Sequence, residues 1–479
     1  MEEGLPPWMT IFDFLLAPFY IMLVVMLGYA VRNININQKP YYKYYVSALV
    51  CKVIGGVSLC LVYTFWYKEG GDSTNYFLAG STYSRIFTDF NFELLDQMLS
   101  FRSESIAFLP YYDYGIINFS DNDYYALTTS VISSVFCLLG MNCYIPATIL
   151  LSYVSFLCMW KLFEVFIDKF PQLQKEFAYS ILFVPSVFFW GSGMLKDTYS
   201  ISGLALATYA VYKFLIQQQR KFKFGFMLLG SSAIIILIKP YIFFALIPGT
   251  LIWVFFDKLN TIRNPTLRAL FLPGLLTLVV VIVAVILQYF GDYLGDYSLD
   301  KVFNKAAKTQ QDFARNQQYG ANSYDIGEFD ASLAGVLSKI PAALEMALFR
   351  PYLWNVRNPV MLLSALENFI MLSITIYIFW KVKFKVLIKS LFSDPLLIFS
   401  MLFALFFAFS VGLTTANYGA LVRLKIPCIP FYASSLFILY YLNKESFGNR
   451  RLGSSRNETY DNSFATKGAP SPNKQPVAG

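Results

Sequence analysis

The sequence predicts an all-α polytopic integral membrane protein, on three observations. The 479 residues are 56% hydrophobic and only 14% charged, far more apolar than one soluble core of this length requires. The apolar residues fall in runs near the roughly 17 to 25 residues that cross a bilayer as helix. The Lys and Arg residues, which bring the formal charge to +8, collect in short clusters between those runs, as expected of loops held on the cytoplasmic side. Binding to nucleic acid is the weaker reading of that basic balance.

In chain order the runs lie near 10–31, 44–66, 125–142, 145–165, 178–194, 197–217, 222–238, 240–257, 268–290, 359–381, 395–414 and 424–443. The first follows Glu2 and Glu3 without a basic leader or a small-residue cleavage site, and reads as a retained helix. Two long polar loops, 67–124 and 291–358, interrupt the series. Residues 1–443 form the transmembrane domain, and 444–479, basic and then rich in Ser, Asn, Gly and Pro, read as a disordered cytoplasmic tail.

Orientation follows from the basic clusters. Arg32, Lys39 and Lys43, Lys161, Lys169 and Lys175, Arg220, Lys221 and Lys223, Lys258, Arg263 and Arg268, Lys381 to Lys389, and Lys444, Arg450 and Arg451 are assigned to the cytoplasm. With 67–124 outside and 161–177 inside, the two runs between them supply one crossing. That crossing is given to 145–165. The run 125–142, with Thr128, Thr129, Ser130, Ser133 and Ser134, is given to the interface or to a re-entrant segment. About eleven spans result, with the N-terminus outside, the C-terminus inside and both long loops extracytoplasmic.

The reactive inventory is narrow. The chain has no histidine, which excludes imidazole acid-base chemistry and His-ligated metal. Carboxylates, Lys, Arg and Tyr remain, and any divalent cation such as Mg or Mn is expected on oxygen ligands. The six cysteines read as small hydrophobes: Cys51, Cys60, Cys137 and Cys158 lie inside apolar runs, and Cys143 and Cys428 have no partner at a telling spacing.

Under this topology the unusual polar groups share one face. Asp72 lies in GGDSTNYFLAGSTYSRIF at the outer mouth, and Lys196 and Asp197 close the hairpin GSGMLKD. Lys239 stands at the outer end of the 222–238 run, Arg350 and Arg357 come from FRPYLWNVRNP, and Asn417 and Arg423 from ANYGALVRLK. Such a gathering suits a carboxylate that activates a nucleophile and cations that hold an anionic group. Each residue also has a structural reading. Asp72 is equally placed to cap a helix, and for Asp197 capping is the stronger reading. Lys196 and Lys239 are placed to snorkel from helix ends, and Arg357 reads as a helix-entry residue. Arg423 lies on the outer side, where the orientation rule does not favour positive charge, which points to a ligand role. Glu367, in ALENFIML, sits about two turns into a helix where an unpaired charge costs roughly 2.5 kcal/mol or more, so it is expected to face the interior and to position Arg350 or Arg423.

Aromatic residues make up 18% of the chain, and Trp66, Tyr67, Tyr111, Tyr112, Tyr124, Tyr352 and Trp354 fit an interfacial belt. The segment ASLAGVLSKIPAALEMALF has helical spacing and is expected to rest on lipid over the outer mouth, with a cover over the substrate as the other reading.

An apolar helix followed by GGDSTNY, a long outer loop and then PSVFFWGSGMLKDTYSISGLALATYAVYKF resembles the GT-C class of polytopic glycosyltransferases over roughly residues 44–260. The segments FRPYLW, ALEN and NYGALVRLKIPCIPF resemble membrane proteins of bacterial surface-polysaccharide loci. One departure is the extra helix 10–31 ahead of the one that leads to the acidic loop. The resemblance implies sugar transfer from a polyprenyl-phosphate-linked donor to a glycan, lipid or protein acceptor at the outer face of a bacterial cytoplasmic membrane. Asp72 would be the catalytic base and Asp197 the second acidic residue. Arg350, Arg423, Lys239 and Lys196 would hold the phosphate, since Arg grips it bidentately and Lys as a point charge. Glu367, Asn417 and Tyr76 would support them. A polymerase or ligase of lipid-linked polysaccharide, leaning more on arginine than on an acidic base, is the alternative. A transporter is disfavoured, because no repeat is visible and the ionisable groups sit at one face.

Overall fold

The computed structural model describes residues 5–67, 70–90, 123–219, 221–261, 333–357, 359–382, 394–415 and 417–444, with isolated positions at 274, 277, 387 and 390. Among these the chain is helical throughout. Seven helices are long and apolar enough to cross a membrane, and a bent pair near the C-terminus makes an eighth.

The first helix, α1 (Ile11–Asn35), presents Phe12, Leu15, Phe19, Met22 and Met26 outward, an apolar surface suited to lipid. Asp13 in its first turn points inward. It accepts hydrogen bonds from the Thr10 amide (2.8 Å) and from the Ile145 amide (2.8 Å), where it closes the start of another helix. A turn over Pro40–Tyr44 leads into α2 (Tyr45–Leu61), which runs on as a wider π turn to Trp66. α3 (Asp72–Thr88) and α4 (Tyr124–Leu139) then pack against each other through small residues: Gly80 lies so close to Ser133 and Cys137 that a Cβ there would press on both. The expected outer loop 67–124 thus holds a buried 17-residue helix. Sequence hydropathy hides it because Ser73, Thr74, Ser81, Thr82 and Ser84 fill its inner face. Thr82 and Ser84 turn their hydroxyls back onto backbone carbonyls of the helix, which removes the cost of burying them.

The centre of the molecule is α5 (Tyr144–Lys169). Trp160, Phe156 and Phe163 on it meet Tyr41, Tyr42 and Tyr45 in a cluster with ring centroids 4.7–6.1 Å apart. The 178–194 run is broken. Pro185 starts the short α6 (Pro185–Trp190), and Val184 before it is extended, because the residue ahead of a proline avoids the helical region. α2 approaches this segment through Gly55, where a Cβ would collide with the Phe188 carbonyl, and α5 through Gly56, where it would collide with Ser152. α7 (Lys196–Val211) and α8 (Lys221–Ile238) follow, and α9 (Pro240–Thr261) carries an apolar stretch, Pro240–Phe256, that is too short to be counted among the seven.

The amphipathic segment splits at Lys339 into Leu333–Ser338 and α10 (Ile340–Phe349), the second of which starts with a proline in its first turn. One face of it packs on protein. Ala343, Met346, Ala347 and Leu348 are buried, and Gly412 of α12 (Pro395–Thr414) sits directly on the Ala343 carbonyl. The peripheral α11 (Pro359–Lys381) lies between them in sequence. The last pair, α13 (Tyr418–Leu424) and α14 (Ile429–Lys444), is bent by 67°. Pro427 and Pro430 cannot donate to the helix ladder, so the chain turns there.

Eleven spans therefore reduce to seven or eight among the described residues. Of the eleven, 178–194 is broken, 240–257 is short, and 268–290, apart from 274 and 277, lies outside the described residues together with most of both long loops and the tail from 445. The run 125–142, not counted among them, is the 16-residue α4. All six cysteines are free, and five are buried, as small hydrophobes should be.

Candidate functional site

Asp72 is the first residue of α3, not its cap. Gly70, at φ +77°, and Gly71 make the turn into the helix, and the Thr74 hydroxyl sits 2.9 Å from both the amide and the carbonyl of Gly71. The capping position is thus satisfied without Asp72, and its carboxylate reaches Arg423, whose Nη1 donates to Oδ2 at 2.6 Å. Among the described residues Oδ1 accepts no hydrogen bond.

Asp197 is the second residue of α7. It makes no capping bond either, which corrects the reading that the sequence favours. The hairpin before it is closed by Thr198, whose hydroxyl donates to the Gly193 carbonyl (2.6 Å). Both Asp197 oxygens are taken by cations: Oδ1 accepts from Lys239 Nζ (2.5 Å) and Oδ2 from Arg423 Nε (2.5 Å). Lys239 occupies the joint between α8 and α9, where Pro240 starts a new helix. Arg423 comes from the last turn of α13.

Four stretches of chain thus meet in one relay, Lys239 to Asp197 to Arg423 to Asp72. Its two carboxylates and two cations balance, as buried charge requires. From Asp197 outward the exposure rises: its side chain is sealed at 0%, that of Arg423 is 19% exposed and that of Asp72 50%, while Lys239 behind it is nearly covered. One end is fixed and dry, the other faces open space.

Lys196 lies on a flank of this relay and does not snorkel. It pairs with Asp123 (2.9 Å) and approaches the ring of the buried Tyr76 at 5.9 Å, while Asp123 also caps α4 through the Ala126 amide (2.9 Å). Asn417 is the cap of α13, accepting from the Ala420 amide at 3.1 Å. It secures the helix that delivers Arg423 and does not join the charges.

Arg350 and Glu367 fall elsewhere. Arg350 donates to Glu345 (2.9 Å), which also accepts from the Tyr352 hydroxyl (2.5 Å). Burial works against the Arg350 charge, but the bonds to Glu345 and Tyr418 outweigh it and hold its pKa above the ordinary guanidinium value. Glu367 positions neither Arg350 nor Arg423. It accepts from the Ser186 amide (2.8 Å) and hydroxyl (2.6 Å) at the start of α6, where the free amides and dipole of a helix N-terminus suit a carboxylate. Trp354, exposed, stacks loosely on Tyr352 with centroids 4.6 Å apart.

Two buried lysines escape the sequence reading. Lys425, two residues after Arg423, donates to Asn368 (2.7 Å) and to the Arg350 carbonyl (3.2 Å). Lys52, in the middle of α2, donates to the carbonyls of Val187 (3.3 Å) and Gly191, at the end of α6. A lysine inside an otherwise apolar run is the signal that finds both. Among the described residues no three Asp, Glu, Cys or His side chains group as a metal would need. Comparison of the chain with protein-family models, with curated proteins and with solved structures finds no match.

Proposed function

We propose that the chain is a membrane glycosyltransferase that moves a sugar from a polyprenyl-phosphate-linked donor to an acceptor hydroxyl at the outer face of the cytoplasmic membrane. The observation that carries this reading is the half-exposed Asp72, one oxygen open, joined through Arg423 to a sealed second carboxylate. The acceptor oxygen attacks the anomeric carbon and gives its proton to Asp72 Oδ1. The bond from that carbon to the phosphate oxygen breaks, and the lipid phosphate leaves with the electron pair. General-base help of this kind contributes on the order of 10²-fold or more. The charge that grows on the leaving phosphate needs a fixed cation beside it, and Arg423, held by Asp197, supplies one without reorganisation. A lipid-linked donor presents its phosphate at the headgroup layer, so chemistry at helix ends suits it. The basic clusters between spans support an outward-facing site.

A second reading, a polymerase or ligase of lipid-linked polysaccharide, draws on the position of Arg423 as the one group bonded to both carboxylates. The test is genetic and chemical. In cells lacking the protein, lipid-linked and surface glycans are compared by mass spectrometry after return of the unaltered chain, Asp72→Asn or Arg423→Lys. Loss of one sugar with Asp72→Asn supports the transferase. Single repeat units in place of long chains with Arg423→Lys support the polymerase. An unchanged glycan profile with membrane-inserted Asp72→Asn removes Asp72 as the base.

A further inference from the structure

Arg423 is clamped from behind. Its Nε is bound to Asp197 Oδ2 at 2.5 Å, and the other Asp197 oxygen is bound to Lys239 at 2.5 Å, in surroundings that leave the Asp197 side chain no exposure. A guanidinium is planar, so fixing Nε fixes the direction of both Nη nitrogens. That edge lies toward the exposed end of the relay, and its bond there is a single contact from Nη1 to Asp72. The two ion pairs of Arg423 are unequal. The inner one is dry and costly to part, because parting would strand a buried charge. The outer one is half in water, where ion pairs are weak. An oxyanion arriving from the open side meets a guanidinium edge suited to two parallel hydrogen bonds, with only a monodentate carboxylate on it.

We infer that the Nη edge of Arg423 is a phosphate-binding site that Asp72 fills at rest, so that an arriving phosphate displaces the carboxylate and releases it from its ion pair. The inference rests on the phosphate-binding part of the proposed function and adds an order of events: the carboxylate becomes competent as a base only after the phosphate is seated. Asp197 and Lys239 stay in place throughout, since the incoming group competes only for the weaker, wetter bond.

The prediction has an unusual sign, because removing a carboxylate from the site should strengthen binding of an anion. The full-length protein, purified in a phosphate-free maltoside detergent, is titrated calorimetrically with inorganic phosphate and with a long-chain polyprenyl monophosphate. Asp72→Asn and Asp72→Ser should each bind about three- to tenfold more tightly than the unaltered chain, the scale set by one partly exposed ion pair. Arg423→Gln should lose binding. Tightening with either probe supports the inference, and the probe that shows it tells whether the free ion or the lipid headgroup is the source. Equal or weaker binding in the folded Asp72 variants overturns it. As a measurement independent of those variants, carbodiimide labelling of Asp72 in the unaltered chain should speed up when polyprenyl phosphate is added, and unchanged or slower labelling counts against displacement. The two readings separate cleanly. Tighter binding with transfer retained sinks the base and keeps the displacement, while lost transfer without tighter binding does the reverse.

Discussion

Asp72 and Arg423 stand 351 positions apart in the chain and meet at 2.6 Å. Nothing local brings them together. The relay that contains this contact joins α3, α13, α7 and the α8–α9 joint, so it acts as a lock on the fold as well as a candidate site.

Asp197→Asn should therefore be among the most damaging single substitutions. It leaves Lys239 and Arg423 buried with one carboxylate between them, half-exposed at the far end. Removing one partner of a buried pair typically costs about 3–5 kcal/mol. The variant should show a much lower unfolding midpoint by fluorescence-detected size exclusion. Adding Lys239→Met should recover part of the loss, because the stranded ammonium goes with it. A double variant less stable than the single one would show that Lys239 contributes through something other than Asp197.

Lys52 predicts a defect at a distance. Its ammonium holds the Val187 and Gly191 carbonyls, which end α6 just before the hairpin that leads to Asp197. Lys52→Met keeps roughly the length of the side chain and removes one donor from each carbonyl. The Gly191 carbonyl still accepts from the Ser155 hydroxyl (2.8 Å) and the Val187 carbonyl from the Gly191 amide (3.2 Å), so the cost should be about 1 kcal/mol. Proteolysis at the hairpin should accelerate, with α1 and α5 unaffected. Equal protection of the hairpin in both proteins would limit Lys52 to its own helix.

Asn417→Ala should cost about 1 kcal/mol of stability through the lost cap. Since the capped helix carries Arg423 in its last turn, transfer should fall with it. Asn417→Asp and Asn417→Ser also cap well and should restore both. Restored stability without restored transfer would give Asn417 a direct part in the site.

What the sequence reveals and what it hides divide along physical lines. Apolar runs locate α1, α2, α5, α7, α8, α11 and α12 because hydrocarbon thickness fixes their length. Asp72, Asp197, Lys239 and Arg423 stand out because they gather at the ends of the runs opposite the basic clusters. The helix α3 is hidden, since a helix buried among protein neighbours can carry serines and threonines where lipid would not allow them. Partner choice is hidden too. Glu367 turns to Ser186 and Arg350 to Glu345 because helix rotation about the bundle, which hydropathy does not encode, decides which neighbours each side chain meets.

Two glycines with opposite surroundings test the packing of α2 against α6. In a helix interior glycine is about 1 kcal/mol less favourable than alanine, so a glycine kept there has a steric reason or none at all. Gly55 has one: a Cβ would run into the Phe188 backbone carbonyl, which cannot move without shifting α6. Gly230 on α8 has nothing within 4 Å of the place where its Cβ would stand. Gly230→Ala should therefore leave stability unchanged or raise it by up to about 1 kcal/mol, whereas Gly55→Ala should lower it, by about 1–3 kcal/mol as for other overpacked interiors. Because α6 ends in the hairpin that carries Lys196 and Asp197, Gly55→Ala should also reduce transfer more than its loss of stability alone explains. A neutral Gly55→Ala, measured by unfolding midpoint beside Gly230→Ala, would mean that α2 and α6 lie further apart than the close approach described above.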